Sequence, residues 1–69
     1  MNKKELLPTD YVIYDKANDN VLTDPYGTVI LFGDKSEADE DCRGNEIVIP
    51  CTDLPIYWRE TIKQQINWP

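Results

Sequence analysis

Residues 27–44 read GTVILFGDKSEADEDCRG, and this stretch is the clearest indication of the fold, because it predicts a strand followed by a helix. Thr28–Phe32 consists of β-branched and large apolar residues with no polar alternation. Such a run predicts a strand that is buried on both faces, and we expect it to be central in a sheet. Gly33 interrupts the pattern and ends the strand.

A short acidic helix is predicted directly after this strand. Asp34 has the features of an N-cap, and Glu37 follows three residues later, as in a capping box with Asp in place of Ser or Thr. The helix should extend from about Lys35 to Arg43 and stop at Gly44, which suits the residue after a helix C-terminus.

The chain on the N-terminal side predicts a hairpin followed by a tight turn. Residues 11–14 are four β-formers in a row, and turn residues at 17–20 lead into a short returning strand at 21–23. Residues 24–27 read DPYG, with Asp first, Pro second and Gly fourth, which is typical of a type I turn.

The C-terminal third predicts a further strand and an amphipathic helix. Residues 47–49 read IVI and are closed by Pro50. An apolar residue at every fourth position predicts a helix of about 54–66. Thr52 or Asp53 can cap its N-terminus. The apolar stripe consists of Leu54, Trp58, Ile62 and Ile66.

These elements predict one α+β domain over residues 11–69, preceded by an N-terminal extension, 1–10. We expect three or four mostly antiparallel strands in the order ββ(β)αβα, with the C-terminal helix packed on one face. The acidic helix would form a right-handed crossover between two strands. Alternation assigns to the inner face the side chains of Tyr11, Ile13, Val29, Leu31, Ile47 and Ile49.

The charge of the chain restricts its partners. Thirteen acidic residues against seven basic ones give a net charge of −6, which disfavours direct binding to nucleic acid or to an anionic membrane. A basic protein is the partner that this charge favours. No apolar run reaches the length of a signal sequence or a membrane span, so we expect a cytoplasmic chain. We also expect a monomer or a weak homodimer.

The residues needed for common catalytic and metal sites are missing or wrongly spaced. The chain has no His and no glycine-rich phosphate loop. Cys42 and Cys51 lack zinc-site spacing, and we expect reduced thiols, although the sequence leaves open whether they are close enough to bridge. We therefore predict no catalytic, cofactor-binding or metal-binding residues, no cofactor and no enzymatic activity. An enzyme that uses Cys42 or the acidic cluster is the weaker alternative.

The most distinctive feature is the concentration of negative charge in residues 34–46. This segment holds six acidic and two basic residues, a net of −4 out of −6 for the whole chain. We predict a small acidic accessory or protein-interaction module. The alternative is a phage or mobile-element inhibitor that mimics nucleic acid and binds a basic protein, because carboxylates one helical turn apart, at about 6 Å, resemble successive phosphates. The candidate interaction surface consists of Asp34, Glu37, Glu40, Asp41, Tyr57 and Trp68.

The layout of residues 11–66 resembles that of small uncharacterised bacterial proteins carried by phages and mobile elements. The resemblance rests on YVIYD at 11–15, on GTVILFGDKSEA at 27–38, and on the strand and closing helix that follow. It implies a compact cytoplasmic module with no assigned activity, and it identifies no site residues.

Overall fold

The computed structural model describes residues 9–66 and contains a three-stranded antiparallel sheet with two α-helices. The elements in chain order are β1 (Tyr11–Asp15), β2 (Asn20–Val21), α1 (Lys35–Asp41), β3 (Ile47–Pro50), a 3₁₀ turn (Cys51–Asp53) and α2 (Ile56–Gln65). The strand order is β2-β1-β3, so β1 is the central strand. The α+β class, the antiparallel sheet and the C-terminal helix predicted from the sequence are confirmed.

The main-chain groups of β1 are paired on both edges. On one edge Tyr11 exchanges two hydrogen bonds with Phe32, at 2.7 and 2.8 Å, and the Ile13 carbonyl accepts from Leu22 at 2.9 Å. On the other edge, just before β1, the Asp10 carbonyl accepts from the Cys51 N–H at 3.0 Å. The main-chain groups of successive residues in an extended chain point to opposite edges, so Tyr11 and Ile13 bond on one edge and Asp10 on the other. These bonds hold β1 between its two neighbours.

The run Thr28–Phe32 is not the central strand, and this prediction was wrong. Val29 forms a bridge with Thr23, whereas Phe32 forms a bridge with Tyr11, so the run changes its pairing partner partway along. A regular strand needs one continuous partner, and this run has none. Its burial on two sides is nevertheless real, because Val29 and Phe32 are both buried and belong to different core clusters.

The sheet lies between the two helices, with a separate apolar cluster on each face. The α2 cluster consists of Val12, Tyr14, Val21, Val29, Cys51, Leu54 and Ile62, and the α1 cluster consists of Ile13, Phe32 and Ala38. Successive side chains of a strand point to opposite faces, so β1 supplies Val12 and Tyr14 to one cluster and Ile13 to the other. Burial of apolar side chains on both faces is what holds so small a domain together.

The predicted inner face of the sheet needs one correction. Tyr11 and Ile13 pack on the α1 side, not under α2 as the alternation suggested. Val29, Leu31 and Ile49 do contact the α2 cluster, as predicted, whereas the last residue of the predicted face, Ile47, is 43 % exposed. The error arose because β1 is apolar on both faces, so its alternation does not indicate which helix covers which side.

The helix α1 begins as predicted and ends earlier. The Asp34 carboxylate accepts a hydrogen bond from the Ser36 N–H at 3.1 Å, which confirms the N-cap. The helix ends at Asp41 instead of Arg43, because Cys42 is extended and the Arg43 N–H donates to the Glu46 carboxylate at 2.9 Å. The predicted stop, Gly44, has a φ of +57° and lies beyond this point.

The helix α2 has the predicted apolar stripe and a different start. Leu54 and Ile62 are buried, and Trp58 and Ile66 pack against the same cluster. The helix begins at Ile56, after Pro55, and no side chain caps it. The predicted caps at 52 and 53 fail because those residues form the 3₁₀ turn.

Candidate interaction surface

The acidic residues of α1 face solvent. Of its seven residues only Ala38 is buried, and this side chain packs against the sheet. The four acidic residues predicted for the interaction surface in this segment are all exposed: Asp34, Glu37, Glu40 and Asp41. The structure therefore places these four predicted residues on one short, capped element.

Most of these carboxylates have no cationic partner within the described residues. The ion pair on α1 joins Lys35 to Asp39 at 3.6 Å, and both side chains are more than half exposed, so it contributes little. Arg43 donates through Nη1 to the main-chain carbonyls of Glu40 at 2.9 Å and Cys42 at 3.2 Å. This cation therefore satisfies the C-terminal end of the helix, where a positive charge is favourable, and leaves the Glu40 carboxylate unpaired.

Of the two predicted aromatic residues, Tyr57 does not join this surface. Tyr57 is 52 % exposed on α2, and its ring centroid lies 6.1 Å from that of Trp58. Because α1 and α2 cover opposite faces of the sheet, Tyr57 and the α1 carboxylates belong to different sides of the domain. Trp68 lies outside the described residues. The five predicted residues that the structure describes are therefore a group of four acidic residues on one side of the domain and Tyr57 on the other.

Three exposed apolar side chains among residues 9–66 were missed from the candidate surface, and one of them is Ile47 at the start of β3. Ile56 is 60 % exposed at the start of α2, and Tyr26 is 91 % exposed in the tight turn of the 22–30 hairpin. Ile56 lies two positions after Leu54, so a helical wheel places it off the buried stripe, and this signal was available in the sequence. Single exposed apolar residues are common on soluble domains.

The hairpin turn that carries Tyr26 is fixed by Asp24. The Gly27 N–H donates to the Asp24 carbonyl at 3.0 Å, so a hydrogen bond closes the predicted turn between its first and fourth residues. The Asp24 carboxylate also accepts from the Tyr26 N–H at 2.8 Å and from the Thr28 N–H at 3.0 Å. Gly27 has a φ of +86°, a conformation that glycine adopts without strain.

A solvent-open groove of about 290 Å³ lies at the C-terminal end of β1. Its lining consists of Asp15, Asn20, Val21, Leu22, Thr23 and Glu46. Both carboxylates already accept hydrogen bonds locally, Asp15 from the Asn18 side chain at 2.8 Å and Glu46 from the Arg43 N–H at 2.9 Å. Within residues 9–66 no three His, Cys, Asp or Glu side chains are grouped to hold a metal ion.

The two cysteines lie on opposite sides of the sheet, and neither forms a disulfide. Cys51 is fully buried in the α2 cluster, and this burial raises the pKa of its thiol, with a smaller contribution from Asp10. Cys42 is half-buried beside the α1 cluster, and its thiol donates to the Glu46 carbonyl at 3.0 Å. The chain contains no His, the residue that most often serves as the base that activates a nucleophilic cysteine.

The fold and its exposed groups define a small α+β domain with an acidic helix on one face of its sheet. Neither helix in the described part of the chain has the length and apolar character needed to cross a bilayer. Comparison with protein-family models, curated proteins and solved structures finds no match to this chain.

Proposed function

We propose that this chain is a small, non-enzymatic accessory module, cytoplasmic and monomeric or weakly dimeric, which binds a basic partner protein through α1. The observation that carries the proposal is the set of three exposed carboxylates, Glu37, Glu40 and Asp41, without cationic partners within residues 9–66. Carboxylates that are already solvated and unpaired are available to a positively charged surface, which they attract over a distance of about one Debye length.

The contacts that hold α1 in place support this role. Asp34 fixes its first turn, Arg43 satisfies its last carbonyls, and Ala38 lets it pack closely on the sheet. A partner therefore meets carboxylates on an ordered helix, and little main-chain entropy is lost on binding. Each exposed ion pair contributes only about 0.2–1 kcal/mol, so several must form together and the affinity should fall with salt.

The proposal is tested by affinity capture from the native host with two matched variants. Glu37→Gln/Glu40→Gln removes two charges from α1, and Asp53→Asn/Glu60→Gln removes two from exposed positions in and just before α2, on the opposite side. We expect parent and control to recover the same basic protein in similar amounts and the α1 variant to recover less of it. Equal recovery by all three chains, or no stable partner for any of them, would contradict the proposal.

Inhibition by mimicry of nucleic acid is the second candidate function. The carboxylates spaced one helical turn apart on α1 favour it. The seven residues of α1 span only about 10 Å, enough to replace two or three phosphates and not the length of a binding groove. Mimicry predicts that duplex DNA or RNA competes with the chain for the captured partner. A partner that binds nucleic acid and this chain simultaneously would exclude it and leave the accessory role intact.

A further inference from the structure

We draw no further inference here: the strongest candidate, the exposed apolar pair Ile56 and Tyr57 at the start of α2 beside the half-buried Trp58, carries nothing because no feature of the described residues shows what covers it.

Discussion

The side-chain amide of Gln65 forms hydrogen bonds with both main-chain groups of Val29. The Val29 N–H donates to Oε1, and Nε2 donates to the Val29 carbonyl, each at 2.8 Å. Val29 is only 2 % exposed, so neither of these groups has easy access to water. The amide at the end of α2 thus replaces the neighbouring strand that the 28–32 segment lacks at this point, and it connects the hairpin to the C-terminal helix.

Replacing Gln65 should therefore destabilise the domain more than its position on a surface helix suggests. Gln65→Ala leaves a buried donor and a buried acceptor unpaired, and we expect a loss of about 1–3 kcal/mol in the free energy of unfolding. Urea denaturation measures this loss, and Gln64→Ala, at the exposed neighbouring position, is the control. Equal midpoints for the two variants would show that the amide contacts do not contribute.

The stability of the domain should fall in alkaline solution because two buried groups hold their protons. Burial raises the pKa of Cys51 above its ordinary 9.0. The hydrogen bond that the Tyr14 hydroxyl donates to Asp19, at 2.7 Å, raises the pKa of Tyr14 above 10.0, and burial adds to the shift. Each group keeps its proton in the folded chain at a pH where the unfolded chain has released it. Their contributions are complete below about pH 9 and are lost as the pH rises through the folded pKa values.

Urea midpoints between pH 7 and pH 11 test this pH dependence. Tyr14→Phe should flatten the part of the fall that begins near pH 10, while the Cys51 part remains. The matched control is Tyr26→Phe, since this side chain is 91 % exposed. A parent midpoint that does not change up to pH 11, or identical profiles for the two Phe variants, would contradict the assignment.

Much of the fold was predictable because local patterns determine it. The strands at 11–15 and 47–50 follow from β-formers bounded by turn residues, and the stripe of α2 follows from its four-residue period. The pairing of Thr28–Phe32 was not predictable, because its partners, Thr23 and Tyr11, are chosen by the tertiary packing. Apolar residues on both faces of a strand remove the alternation that would otherwise specify its orientation.

The two thiols should differ in their reactivity. Cys42 is half-buried at the end of α1, whereas Cys51 is fully buried, so alkylation of the native chain should modify Cys42 first. Mass spectrometry after timed exposure to iodoacetamide measures the two rates, and the urea-unfolded chain, with both thiols accessible, is the control. Native chains that label Cys51 as fast as Cys42, or that oxidise to an internal disulfide, would contradict the two-sided sheet.

The hydrogen bond that Asp34 accepts at the N-cap of α1 can be distinguished from the effect of its negative charge. Asp34→Ala removes the acceptor of the Ser36 N–H bond and should cost about 0.5–2 kcal/mol, whereas Asp34→Ser keeps an acceptor and should cost much less. Thermal unfolding of both variants measures the difference. If Asp34→Ser is as unstable as Asp34→Ala, the carboxylate acts through its charge at the helix terminus and not through the hydrogen bond.

The candidate surface was predictable in composition and not in extent. The acidic run at 34–46 and its N-cap predict an exposed, charged helix, because acidic side chains are rarely buried without partners. The separation of Tyr57 from this helix depends on which face of the sheet each helix covers, and that information is not local. The two hydrogen bonds between Gln65 and Val29 could not be predicted from the sequence, since Gln is a common residue on the side of a helix.

The most direct test of the acidic-helix account is the dissociation constant of the captured basic partner, measured calorimetrically at two salt concentrations. Two lost ion pairs at about 0.2–1 kcal/mol each predict that Glu37→Gln/Glu40→Gln weakens binding about 2- to 30-fold at low salt and reduces its salt dependence. The control Asp53→Asn/Glu60→Gln, with the same net charge, should bind as the parent does. Equal weakening of both variants would mean that net charge alone attracts the partner, and no weakening of either would mean that α1 is not the binding surface.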